Sequence, residues 1–95
     1  EIFNVRLNNK EEVELDWVTL SEQNSDYFEV ERSTDADNFE VIGKIKAVGN
    51  ATTENNYTTL DVNPQIGTNY YRLKMVDLVR KINKDSTTMK KKKVE

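Results

Sequence analysis

The 95-residue chain contains no histidine and no cysteine. Their absence excludes Ser-His-Asp and Cys-His nucleophiles, thiol redox chemistry, and the imidazole and thiolate ligands usual for zinc, copper or iron. Absence of cysteine does not fix a compartment, because cytosolic proteins lack disulfides and so do many bacterial surface proteins. No apolar stretch approaches the ~18 residues of a membrane span, and no short apolar segment behind a basic N-terminus marks a signal peptide. With one proline and three glycines, what remains is one small soluble domain. A chain of this size buries only about 60–65% of its unfolded surface, so most of the apolar content belongs to one core and little is left to line a deep pocket.

The formal net charge is -3 and the pI is near 5.0, which argues against nucleic acid as a partner, since neutralising phosphates needs a clustered basic surface. The total conceals an asymmetry. Residues 1–78 carry 7 basic and 15 acidic side chains, whereas residues 79–95 carry 7 basic and 2 acidic. The run Lys90-Lys91-Lys92-Lys93 is read as a solvated last strand or linker and is assigned no function. A chain that begins at Glu1 without a methionine and ends in a charged run is expected to be a piece of a larger protein.

The dominant pattern is alternation, the mark of half-buried strands. Val13, Leu15 and Trp17 alternate with Glu12, Glu14 and Asp16, and Phe28 and Val30 with Glu29 and Glu31. The turn formers Ser33-Thr34-Asp35-Ala36-Asp37-Asn38 follow. Phe39–Ala47 resumes the apolar run, but adjacent Val41 and Ile42 break the period and point to a β-bulge near Gly43. Further strands are expected over Ile2–Leu7, Asn56–Leu60, Tyr70–Val76 and Lys81–Val94. About seven strands with no helical period predict an all-β, antiparallel sandwich. The expected core is Val13, Leu15, Trp17, Phe28, Val30, Phe39, Ile42, Ile45, Tyr57, Leu60, Tyr71 and Leu73, with Leu7 and Val76 at its margin.

The string V-E-L-D-W-V-T-L-S-E-Q-N-S-D-Y-F-E-V-E-R-S-T-D from Val13 and F-E-V-I-G-K-I from Phe39 resemble a fibronectin type III-like domain common in Bacteroidetes surface and secreted proteins. Tyr57, Asp61, Pro64, Gly67 and N-Y-Y-R-L-K-M-V-D from Asn69 continue it, so the resemblance covers about Leu7–Asp77. It implies a seven-stranded immunoglobulin/fibronectin type III-like sandwich spanning 1–95, with 79–95 as last strand and basic tail. It also implies a multidomain parent, often with this module just before a type IX secretion signal, and hence a secreted or cell-surface location. Two departures stand out. Leu78-Val79-Arg80-Lys81 replaces the glycine that usually follows the Val-Asp pair, and the lysine-rich end replaces a Ser- and Val-rich strand.

The matched residues read as structural first. Trp17 is the expected core anchor, with an indole N–H that needs a partner. A tyrosine just after Gly67 resembles the tyrosine corner of these sandwiches, whose hydroxyl returns to upstream backbone. Alternation with Leu73 favours Tyr71 in that role; spacing from the glycine favours Tyr70. Arg32 and Arg72, among Glu29, Glu31 and Asp77, suit cross-strand ion pairs, each worth at most about 1 kcal/mol if exposed.

For chemistry, paired carboxylates are the remaining enzyme design. Glu12, Glu14 and Asp16, like Glu29 and Glu31, fall on the phase that points to solvent, and the chain is read as no enzyme, with no cofactor. Asp35, Asp37 and Asn38 are weak calcium candidates that also suit a plain turn. Asn50-Ala51-Thr52 and Asn56-Tyr57-Thr58 match the N-glycosylation pattern, and Asp85-Ser86-Thr87 resembles a short O-glycosylation acceptor of exported Bacteroidetes proteins. The expected role is a non-catalytic spacer or accessory module whose partners are neighbouring domains of the same chain. The alternative is a module that binds a glycan or a surface protein through a sheet face or end loops.

Overall fold

The computed structural model of the chain describes residues 2–77, 83–86 and 90–94. Alternating sequences become strands: β1 (Ile2–Leu7), β2 (Val13–Thr19), β3 (Ser25–Ser33), β4 (Glu40–Lys46), β5 (Asn55–Asp61), β6 (Gly67–Asp77), β7 (Asn83–Ser86) and β8 (Lys90–Val94). All pairings are antiparallel and no helix occurs among the described residues, so none is long and apolar enough to cross a membrane. One sheet has the order β1-β2-β5. The other runs β4-β3-β6, and the far edge of β6 is shared by β7 and β8. Lys74 pairs with Ser86 of β7, whereas Gly67 to Tyr71 pair with Val94 to Lys90 of β8.

The bulge expected near Gly43 is present. Gly43 pairs with Val30 and Val41 with Glu31, leaving Ile42 as the extra residue. This lets adjacent Val41 and Ile42 part company: Ile42 packs against the core while Val41 is exposed. Other turns are fixed by side chains. Between β1 and β2, Asn8 Oδ1 accepts the N–H groups of Lys10 and Glu12. Between β3 and β4, Asp35 Oδ1 accepts those of Asp37 and Asn38, each at 2.9 Å or less. Fully buried Asn69 ties the 65–67 loop down, accepting from Gln65 N–H and donating to Gln65 O.

The two sheets face each other across one core of Phe3, Val13, Leu15 and Trp17 from the first, Phe28, Val30, Tyr71, Leu73 and Val94 from the second, and Ala47. Burying each large apolar side chain stabilises by about 1.5–3 kcal/mol. Trp17 is the largest; its ring stacks on Tyr57 at 5.6 Å and meets the edge of Phe28 at 5.5 Å. Its expected hydrogen bond is missing: the indole N–H has no partner among the described residues, so ring packing is what Trp17 contributes. Ile42, Ile45 and Tyr57 pack on this core half-buried.

Three expected core positions are less buried than expected, and Val76, buried as expected, sits apart from the main cluster. Leu60 is 49% exposed, because β5 turns Tyr57, Thr59 and Asp61 inward and places Leu60 on the opposite phase. Leu7, at the end of an edge strand, is 40% exposed. Val76 is buried but stands outside the core cluster, on the phase opposite to Leu73. Phe39 is only half-buried, beneath the Arg72 guanidinium at 4.0 Å. Conversely, Phe3, Ala47 and Val94 are buried without having been expected.

Candidate functional site

The inward phase of three strands brings charge into one end of the molecule. Arg32 follows Phe28 and Val30 on β3, Asp61 follows Tyr57 on β5, and Tyr71 precedes Leu73 on β6. Arg32 Nη1 donates to both Asp61 oxygens at 3.0 and 2.9 Å and to the carbonyl of Asn63 at 2.8 Å. Its Nη2 donates to Glu40 at 3.0 Å. The Tyr71 hydroxyl donates to Asp61 Oδ2 at 2.7 Å. Tyr71, not Tyr70, is therefore the buried tyrosine, and its hydroxyl reaches a carboxylate on β5, not upstream backbone. Burial, then the bond to Asp61, pushes the Tyr71 phenol well above its ordinary value. Arg32 makes a cross-strand ion pair with exposed Glu40 and adds a buried one with Asp61, because it lies in phase with Phe28 and its side chain is only 10% exposed, against 5% for Asp61.

The opposite end is closed by a second carboxylate. Just after β2, Glu22 is buried and exchanges two backbone hydrogen bonds with Ala51. Its side chain accepts from Thr19 Oγ1 at 2.7 Å, from the Tyr57 hydroxyl, and from Gly49 N–H at 3.1 Å. The donors are uncharged. The Tyr57 hydroxyl also accepts from Val48 N–H, and burial together with the Glu22 bond pushes the phenol up to about 12. These contacts tie the 20–24 loop to the 47–54 segment beneath an open depression lined by Gln23, Asn50 and Thr53. The sequence marked Arg32 for an ion pair and Asp61 as a motif residue without joining them, although the strand period points both inward; Glu22 carried no signal.

The carboxylates of the outer faces behave in two ways. On the first sheet, Glu14 and Asp16 share Arg6 at 3.0 and 2.8 Å. On the second, Glu31 is buried, contrary to its solvent-facing phase, because Arg72 at 2.6 Å and Lys74 at 3.7 Å close over it. The Arg72–Glu31 pair is thus a cross-strand ion pair. Glu29 is half-buried.

Asp35, Asp37 and Asn38 lie together in the β3–β4 turn. Asp35 spends its oxygens there: besides two backbone N–H groups it accepts from Asn38 Nδ2 and the Ser33 hydroxyl. Those bonds, that of Asn38 first, hold its carboxyl well below the ordinary range. No group of three or more acidic side chains suited to a metal ion occurs among the described residues. Asn50 and Asn56 are exposed; Thr87 of the Asp85-Ser86-Thr87 triplet lies outside the described residues. No family model, curated protein or solved structure matches the chain.

Proposed function

We propose that this chain is a fibronectin type III-like sandwich acting as a non-catalytic spacer or accessory module of an exported multidomain bacterial protein. The sheet orders support the fold type. In immunoglobulin-class sandwiches the second and fifth strands adjoin in one sheet, and the third, sixth and seventh adjoin in order in the other. The β2-β5 and β3-β6 neighbours have that arrangement, with β7 and β8 taken as one interrupted seventh strand. The Bacteroidetes affiliation and the secreted or cell-surface location rest on the resemblance of the quoted motifs.

The observation that carries the spacer role is the fate of the aromatic side chains. Phe3, Trp17, Phe28 and Tyr71 are buried, the other four are half-buried, and the exposed large apolar residues are all aliphatic. The buried polar groups at both ends are satisfied within the domain. Such a module transmits geometry between its neighbours. A thermal melt of the chain with calcium, EDTA and neutral oligosaccharides tests this: one cooperative transition unmoved by every addition is expected. A ligand at a hundred times its dissociation constant would add about 2.7 kcal/mol and raise the midpoint by ~10 °C, and such a shift would replace the spacer with a recognition module.

One observation favours the second reading, a binding face. Tyr27, Phe39 and Tyr70, all half-buried, share the outer side of the second sheet with Lys44, Arg72 and Lys74.

A further inference from the structure

The two outer faces carry opposite charge. On the β1-β2-β5 face, Glu14 and Asp16 outnumber Arg6. On the other, Glu29 and Glu31 run down the central strand β3 and cations stand on both flanks. Lys44 pairs in register with Glu29 from the β4 side, as Lys74 does from β6, and Arg72 pairs with Glu31. Lys46 adds a further exposed cation beside Tyr27. Lys44, Lys46, Arg72 and Lys74 thus stand together on one face of a chain with net charge -3.

Aromatic rings are interleaved with these cations. Lys44 Nζ lies 5.1 Å over the Tyr27 ring and Arg72 lies 4.0 Å over Phe39. Each cation is held over a ring, its position fixed in advance, which lowers the ordering cost of meeting a ligand. A flat lane of cations with polar-edged rings suits a chain of anionic sugars, whose carboxylates or sulfates meet the cations and whose C–H faces meet the rings.

We propose that the outer face of the β4-β3-β6 sheet binds a polyanionic polysaccharide, carboxylated or sulfated, with Lys44, Lys46 and Lys74 as its main charge contacts. The inference deepens the second reading, and its failure leaves the spacer reading standing. Nucleic acid fits less well, because the acidic opposite face and the net negative charge oppose a polyphosphate that wraps. A bilayer surface fits less well, because the lane itself presents one exposed large apolar residue, Val41.

The test titrates the ¹⁵N-labelled chain with polygalacturonate, dextran sulfate and neutral dextran, at low and at physiological salt. Amide shifts clustered in 27–31, 41–46 and 68–74 with either acidic polymer, weakened by salt and absent with neutral dextran, are expected. The acidic polymer that binds more tightly names the anion. The exposed pair Lys44→Glu and Lys46→Glu is expected to weaken binding by about tenfold or more, while Arg6→Glu on the opposite face does not weaken it. The shifts in the unaltered chain decide the case even if the double variant folds poorly. No binding to either acidic polymer, shifts confined to the β1-β2-β5 face or the loop ends, or tighter binding to duplex DNA or anionic vesicles would each overturn the proposal.

Discussion

Arg32 and Asp61 set the stakes at the scale of single residues, because a charge taken out of water is tolerated only while its partner stays. Asp61 accepts from Arg32, Tyr71 and Asn63 N–H, so Asp61→Ala strands a buried hydroxyl and leaves the buried guanidinium with only the exposed Glu40 carboxylate and the Asn63 carbonyl among the described residues. We expect a loss of about 3–5 kcal/mol in urea unfolding, whereas Arg32→Met combined with Asp61→Leu is expected to cost much less, since replacing a buried pair by packed apolar groups is often neutral. A double variant as unstable as the single one would mean that the pair itself, not the stranded charge, carries the stability. The phenols give a pH prediction. Tyr57 rises from 10.0 to about 12 on folding, so the folded chain holds the proton more tightly. That contribution is complete below pH 10 and is lost as pH rises from 10 to about 12. Tyr71 acts in the same direction. Tyr57→Phe should flatten this alkaline decline in a series of denaturant melts, and an unchanged slope would remove Tyr57 as its source. Alternation displayed Trp17, Phe28 and Leu73 as core. The same period pointed Arg32 and Asp61 inward, but the expectation that charges face water outweighed it. Hydrophobicity likewise drew Leu60 inward against the phase of Tyr57. The Glu22 site was illegible for another reason: Thr19, Gly49 and Tyr57 meet it only after three strands have paired.

At the scale of elements, the two ends of the β4–β6 region use glycine differently. Gly43 sits beside the bulge without a positive φ, and a Cβ there meets nothing within 4 Å. Gly67 opens β6 at φ +99°, also in open space, so a side chain there is opposed by backbone conformation alone. Gly43→Ala should be neutral or stabilise by about 0.4–1 kcal/mol through the unfolded chain. Gly67→Ala should cost about 1–2 kcal/mol. Chemical denaturation of the two variants checks this; equal effects would show that φ at Gly67 is not what the turn requires. Adjacent Val41 and Ile42 made the bulge readable in advance. The division of the last edge into β7 and β8 was not readable, because a lysine run carries no apolar period to report its pairing.

For the whole molecule, the question is whether two sheets make one cooperative unit. Trp17 and Tyr57 belong to one sheet and Phe28 to the other, and their rings meet at 4.8–5.6 Å. Arg32 and Tyr71 of the second sheet fasten Asp61 of the first at one end, and the Glu22–Tyr57 bond fastens the loops at the other. The sheets cannot part without breaking the Arg32–Asp61–Tyr71 fastening and exposing the shared core, and a domain of this size is expected to unfold in a single step. The single tryptophan reports on the centre of that core, while far-UV circular dichroism reports on all strands together. The two signals should therefore trace the same urea transition, with one midpoint and one slope. Fluorescence changing at lower urea than circular dichroism would show the sheets separating before their strands are lost. A module that yields in stages in this way would be a poor rigid spacer, so the comparison tests the mechanical role as well as the packing from which it is argued.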